Sequence, residues 1–175
     1  MENIVTRKYT GISIGPIIAT FSQVRKPRHL WSASFLFSHL MKVIIDEGAS
    51  LGGKLISPAK NDDEVPLGLY PDRAFFEGEV DFFEGKVDSE DLCKNVLKSL
   101  SKEIKIAQSD LNNYFNIMGL TIEADNESQA ILELNQKLDI LELANRCENS
   151  NSLTAILDLI TSKNKESVLF DMVFE

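Results

Sequence analysis

The order of strand-like and helix-like segments predicts an α+β fold of the ferredoxin-like type, β-α-β-β-α-β, with extra C-terminal helices. Three observations carry this prediction. A β-rich, partly alternating segment at residues 8–14 stops at a Gly-Pro pair. Helical spacing of apolar residues follows, and short strand-like runs then occupy residues 54–58 and 73–79. In such a fold one antiparallel sheet carries helices on one face.

The first half of the chain supplies a strand–helix–strand unit. Gly15-Pro16 ends the first strand, because proline lacks a backbone N–H and suits the first position of a helix. Pro27 should interrupt the helix that follows. A second helix from about Arg28 is expected to end near Gly48, a natural C-terminal cap. Residues 59–72 are acidic and rich in Pro and Gly, which predicts a loop or hairpin tip.

The second half supplies the remaining elements. Residues 82–86 indicate a short extended piece, and apolar spacing over residues 88–104 predicts a helix. Residues 115–124 fit either a helix continuation or a buried strand. Asn126 with Gln129 matches a capping box and opens a further helix with an apolar stripe. A short helix at residues 153–160 and a strand-like run at 168–174 complete the series.

Two regions are therefore expected. Residues 1–124 form the ferredoxin-like domain, and residues 125–175 form a helical extension that leads into a missing C-terminal part. The apolar run at 168–174 would leave an unpaired edge, which predicts docking against something larger.

The amino-acid composition limits the classes of protein to which the chain can belong. The 175 residues are 43% hydrophobic and 26% charged, an ordinary globular composition. Cys93 and Cys147 match no metal-ligand spacing, which favours a reducing compartment without structural zinc. No apolar run approaches the roughly 18 residues of a membrane span, and the N-terminus lacks a signal-peptide core. These features predict a soluble, cytoplasmic protein without a membrane partner.

The charge is divided unevenly along the chain. Residues 1–60 hold eight Lys/Arg against three Asp/Glu, whereas the remainder holds ten against 24, within a net charge of −9. The positive charges concentrate at five positions: Arg7, Lys8, Arg25, Lys26 and Arg28. A small basic site on an acidic body favours a phosphate-bearing ligand over bulk DNA. Solvated helix termini explain the same residues equally well.

No catalytic machinery is evident in the sequence. Leu51-Gly52-Gly53-Lys54 lacks the spacing of a P-loop, and His29 and His39 are too far apart for ligands on consecutive helical turns. The acidic run at residues 62–64 is better explained by loop solvation than by a metal. We predict no catalytic residue and no metal ligand in this chain.

One segment has an unusual combination of features. Residues 12–40 join a strand, a Gly-Pro turn, a helix, a basic cluster, a Leu-Trp pair and an aliphatic helix. This segment resembles the opening of the large polymerase/cyclase subunit of type III CRISPR effector complexes, in its Cmr-type form. The matching residues are Ile14-Gly15-Pro16, Arg25-Lys26, Arg28, Leu30-Trp31 and Ser34. The chain departs from the family pattern at Pro27 and at Ser32-Ala33, where Ala-Gly is usual.

The resemblance extends more thinly over residues 8–145. The segment from Gly68 to Arg73 resembles the family's Gly-x-Pro-Asn loop, and Asn113-Tyr114-Phe115 resembles the segment before its fourth strand. The resemblance thus favours a strand at 115–124.

Such subunits carry two facing palm-like domains. The second holds a Gly-Gly-Asp-Asp motif that makes cyclic oligoadenylate, or an AMP conjugate in some members, from ATP with Mg²⁺ or Mn²⁺. This chain has neither that motif nor the His-Asp pair of the family's nuclease domain. By resemblance it is the first, non-catalytic palm, and alone it should neither polymerise ATP nor cleave nucleic acid.

The resemblance also implies site residues and partners. The expected nucleotide-binding residues are Gly15, Pro16, Ser34, Ser38, Asp72 and Arg73. Arg25, Lys26 and Arg28 would contact phosphate, RNA or partner carboxylates. The expected partners are the other Cmr-type subunits, guide and target RNA through the complex, and the second palm.

Two alternatives stay open. The serines of the second helix can equally serve tight helix packing through small side chains. The whole chain can instead be a stand-alone ferredoxin-like interaction module without a nucleotide role.

Overall fold

The computed structural model of the chain describes residues 6–59, 70–80 and 114–144, together with positions 98, 101 and 109. The elements follow in this order: β1 (Arg7–Gly15), α1 (Ile17–Gln23), α2 (Pro27–Ser50), β2 (Lys54–Ser57), β3 (Arg73–Glu77), β4 (Asn116–Ala124) and α3 (Glu127–Ala144). The ambiguous segment at 115–124 is therefore a strand. The predicted elements at 82–86, 88–104, 153–160 and 168–174 lie outside the described residues.

The four strands form one antiparallel sheet in the order β2-β3-β1-β4. The central strand β1 pairs with β3, where Ser13 lies opposite Arg73. On its other edge β1 pairs with β4 along its whole length, so that Gly15 lies opposite Asn116. The C-terminal end of β1 therefore meets the N-terminal ends of β3 and β4.

Helices cover both faces of this sheet. Alternate residues of β1 and β3, including Ile12 and Phe76, pack with the buried side of α2, and α1 packs against the same cluster. The residues between them, including Tyr9 and Phe75, pack against α3. α1 and α2 thus lie on one face, whereas α3, which belongs to the predicted C-terminal extension, covers the other. The reason is that the second face also carries apolar side chains, which the apolar stripe of α3 buries.

Gly11 sets the close approach of α3 to the sheet. A side-chain carbon built at this position would lie 3.2 Å from both Leu134 Cδ2 and Phe75 Cδ1. Leu134 is fully buried and occupies the space that any larger residue at position 11 would need. The glycine therefore lets α3 pack directly on β1.

The helix ends follow local signals, with one correction. Pro27 is the first residue of α2, and the Gln129 N–H donates to Asn126 Oδ1 at 2.9 Å, as the proline and capping signals predict. α2 ends at Ser50, two residues from the expected end near Gly48, but Gly48 lies within the helix and does not form its C-terminal cap. The residue with positive φ is Gly52 at +91°, and the Gly53 N–H donates back to the Gly48 carbonyl at 3.0 Å.

Among the described residues, no helix combines the length and the apolar character that a bilayer crossing requires.

The packing of α3 predicts a large difference between two leucines on the same helix. Leu134 is 0% exposed, whereas Leu132 is 62% exposed. Leu134→Ala should lower the free energy of unfolding by about 2–5 kcal/mol, because it leaves a cavity between α3 and the sheet. Leu132→Ala should change it by no more than about 0.5 kcal/mol. Urea unfolding followed by circular dichroism measures both, and equal effects would contradict the assigned face of α3.

Candidate functional site

Most of the predicted nucleotide-binding residues gather at one end of the sheet. Gly15 is the last residue of β1, and Pro16 directly precedes α1. The Asp72 carbonyl accepts a hydrogen bond from the Ile14 N–H at 2.9 Å, and Arg73 begins β3 beside Ser13. Antiparallel pairing produces this gathering, because it places the end of β1 beside the start of β3.

Gly15 leaves open space at this end. A side-chain carbon built there would meet only the Asn116 carbonyl oxygen, at an ordinary contact distance of 3.9 Å. Packing among the described residues therefore does not require a glycine at this position. Among the described residues, apart from the two chain neighbours of Gly15, no other atom lies within 4 Å of that carbon.

Tyr114 ties α1 to the start of β4. Its hydroxyl and that of Thr20 are hydrogen-bonded, and Thr20 also donates to the Pro16 carbonyl. Burial raises the pKa of Tyr114 to about 12, and the hydrogen bond to Thr20 offsets only part of that effect. The turn after Gly15 is thus attached to β4 through a buried hydroxyl pair.

The two serines of α2 lie in different surroundings. Ser38 is buried, and its hydroxyl accepts a hydrogen bond from the Tyr70 N–H at 3.0 Å. It therefore holds the segment that leads into β3. Ser34, one helical turn earlier, is half-buried.

Arg73 is engaged by three residues of α3. Its guanidinium donates to Asp139 Oδ1 at 2.6 Å, to Glu142 Oε1 at 2.8 Å and to Asn135 Oδ1 at 2.9 Å. The Ser13 hydroxyl donates to the same Glu142 oxygen at 2.5 Å. We call Ser13, Arg73, Asn135, Asp139 and Glu142 the Arg73 network.

Electrostatics hold the Arg73 network together. The Arg73 side chain is only 17% exposed, and this burial taken alone lowers its pKa. The hydrogen bonds to Asp139 and Glu142 outweigh burial, so the pKa of Arg73 is raised above its ordinary value. The guanidinium predicted to bind a nucleotide thus has intramolecular partners.

Sequence reasoning missed the α3 members of this network. Asn135, Asp139 and Glu142 are spaced four and three residues apart, which places them on one side of a helix. This polar stripe beside the apolar one was the sequence signal that could have indicated a polar contact of α3. The spacing within α3 does not show that Arg73 on β3 is its partner.

The basic residues divide into two groups. Arg7 and Lys8, which the charge pattern grouped with the others, lie at the far end of the sheet. There Arg7 is paired with Glu77 at 2.7 Å, and Lys8 is paired with Glu79. Glu77 also pairs with Lys54, and the hydrogen bonds from Lys54 and Arg7 lower the pKa of Glu77.

The second basic group lies between α1 and α2. Arg25 and Lys26 are exposed there, and Arg28 is the second residue of α2, although its side chain is outside those described. This group follows α1, a seven-residue helix about 10 Å long, so it lies at the end of that helix opposite to Gly15. Among the described residues, no three His, Cys, Asp or Glu side chains are grouped to hold a metal ion.

Removing Glu142 should destabilise the protein. Glu142→Ala leaves Arg73 and Ser13 without their shared acceptor, and we expect a loss of about 1–3 kcal/mol in the free energy of unfolding. Glu133, on the same helix, has only an (i, i+4) pair with Lys137, so Glu133→Ala should cost no more than about 0.5 kcal/mol. Denaturant unfolding of both variants tests the network, and equal losses would refute it.

The buried Tyr114 hydroxyl should make stability depend on alkaline pH. The unfolded chain loses the Tyr114 proton near the ordinary pKa of 10, whereas the folded chain keeps it to about 12. Unfolding therefore releases a proton between these values, and the free energy of unfolding falls as the pH rises through this window. The difference from Tyr114→Phe, measured at several pH values, should shrink across the window. Parallel curves would show that the hydroxyl is not buried.

Comparison with known proteins gives one family. The family model for the N-terminal part of CRISPR-associated protein Cmr2 matches residues 9–108, more than half of the chain. The matched region contains all nine predicted site residues, whereas β4 lies beyond it. No curated protein matches the chain. The chain therefore belongs to the Cmr2 N-terminal family, which confirms the Cmr-type resemblance seen in its first forty residues.

Proposed function

We propose that this chain is the first, non-catalytic palm of a Cmr-type large subunit and that the end of its sheet helps to bind ATP or the acceptor nucleotide. A second palm would convert that nucleotide into cyclic oligoadenylate or an AMP conjugate. The observation that carries the proposal is the match of the Cmr2 N-terminal family over the segment that contains the end of β1.

The sheet supports the palm assignment. The order β2-β3-β1-β4, with every neighbour antiparallel, is the order that a split β-α-β arrangement produces. In this arrangement the crossover from β3 to β4 carries the second helix. That crossover corresponds to residues 81–113, most of which lie outside the described residues.

The residues at the end of β1 support a non-catalytic role. Two-metal nucleotidyl transfer needs carboxylates that hold divalent ions at the reacting oxygens. The end of β1 instead carries Ser13-Ile14-Gly15, and the nearby Asp139 and Glu142 are both ion-paired with Arg73. The described residues at this end do not fit a divalent-ion pair, so we assign Mg²⁺ or Mn²⁺ to the complete subunit.

The proposed nucleotide contacts divide between binding and positioning residues. Gly15 and Pro16 would receive the nucleotide in the open space at the end of β1, with Asp72 and Ser34 at its sides. Ser38 and Arg73 would act through the segments that they hold, because Ser38 anchors Tyr70 and Arg73 anchors α3.

The proposed setting is an RNA-guided antiviral complex. The chain would contact the second palm of the same subunit and the other Cmr-type subunits, and the complex would supply guide and target RNA. Arg25, Lys26 and Arg28 are the residues proposed for phosphate or carboxylate contacts within it.

Titration with ATP and Mg²⁺ tests the nucleotide proposal. We expect ATP to shift the backbone amide resonances of Gly15, Ser34 and Asp72 in the full chain. Gly15→Val should weaken the affinity at least about tenfold, or about 1.4 kcal/mol, because its side chain would occupy the space proposed for the nucleotide, where an added Cβ contacts the described residues only at 3.9 Å.

Lys42→Gln serves as the control, since Lys42 is exposed in the middle of α2. It should leave the affinity unchanged. Binding that Gly15→Val leaves intact, or amide shifts confined to other regions, would refute the proposed site.

A further inference from the structure

Trp31 is an exposed aromatic residue that the proposed nucleotide site does not use. It lies in the first turns of α2 and is 60% exposed, beside Leu30 at 47%. The same helix buries Leu36, Phe37 and Leu40 in the core, so its attachment to the sheet does not depend on Trp31. Trp31 and Leu30 therefore leave apolar surface exposed near the start of α2.

The segment of the chain that contains Trp31 carries positive but no negative side chains. Between Glu2 and Asp46 the chain contains no Asp or Glu, in an otherwise acidic protein. Arg25 and Lys26 immediately precede α2 and are exposed. Because Arg7 and Lys8 are paired with glutamates at the far end of the sheet, the exposed charge beside Trp31 comes from the α1–α2 junction.

Helix geometry places the aromatic ring and the two charges at the same end of α2. Lys26 caps the helix and Trp31 follows five residues later, which corresponds to about 7.5 Å along the axis. Helical side chains also lean toward the N-terminus of their helix. Five residues at 3.6 residues per turn also place Trp31 about 140° around the axis from Lys26, so a ligand that touches both groups has to curve around the start of the helix.

We propose that Trp31, Arg25 and Lys26 form a binding site for single-stranded nucleic acid. An unpaired base would stack on Trp31, while Arg25 and Lys26 neutralise the adjacent phosphates. The charge complementarity favours this occupant over a protein segment, because Arg25 and Lys26 are exposed cations beside an exposed ring, and residues 3–45 contain no Asp or Glu. The inference rests on the proposed function only for its setting within an RNA-guided complex.

Trp31 reports on its own ligand, because it is the sole tryptophan of the chain. Titration of the full chain with oligouridylate of about ten nucleotides should quench its fluorescence. Trp31→Ala should weaken binding of a labelled oligonucleotide by about 5- to 150-fold, the range that corresponds to stacking of one base. Trp31→Phe should restore part of that loss. Circular dichroism checks that each variant is folded.

The contribution of the basic residues is measured separately, through the salt dependence of binding. Replacing both Arg25 and Lys26 by Gln should reduce the salt dependence of binding, by about 0.7 in the logarithmic slope for each phosphate contact removed. Lys42→Gln removes an exposed charge farther along α2, and Leu132→Ala removes an exposed apolar side chain on α3. Both control variants should bind like the original chain.

Several outcomes would overturn this site. They are absence of quenching, unchanged affinity in Trp31→Ala, and quenching by polyglutamate or by ATP alone as strong as that by the oligonucleotide. Comparison of oligouridylate with oligothymidylate distinguishes RNA from DNA as the natural strand. Gly15→Val should leave oligonucleotide binding intact and Trp31→Ala should leave ATP binding intact, so each site can fail independently of the other.

Discussion

The enclosure of β1 is the constraint on which the rest of the structure depends. β3 and β4 pair with its two edges, α2 packs against Ile12 and Ile14 on one face, and α3 lies against Gly11 on the other. A strand surrounded in this way can offer a ligand only its ends. The C-terminal end of β1, at Gly15, is one of these two ends.

The attachment of α3 determines which charged side chains at the end of β1 already have partners within the fold. Apolar contacts centred on Leu134 bury the helix, and the Arg73 network holds its last turns at the end of β1. Buried charges are tolerated when they are paired, and here Arg73 forms ion pairs with both Asp139 and Glu142. At the far end of the sheet, Arg7 and Lys54 both pair with Glu77. Arg25 and Lys26, by contrast, are exposed at the α1–α2 junction.

The sequence by itself determined the elements that depend on neighbouring residues. Gly15-Pro16 ends β1, Pro27 separates α2 from α1, and Asn126 caps α3, because each acts through backbone geometry or a donor within a few positions. The family was also readable from residues 12–40, whose turn, basic cluster and Leu-Trp pair are consecutive in the chain. The segment at 115–124 was ambiguous locally, since its apolar residues suit either a helix or a buried strand.

Only the tertiary structure decided the relations between distant residues. The face that α3 covers depends on apolar side chains from three strands, and no periodicity within α3 specifies it. Arg73 meets Asp139 across 66 positions, because the pairing of β3 with β1 and the packing of α3 bring them together. α2 ends at Ser50, beyond Gly48, because Gly52 rather than Gly48 takes the left-handed conformation. The sequence therefore showed which polar and charged side chains are present, and packing decided which of them have partners within the fold.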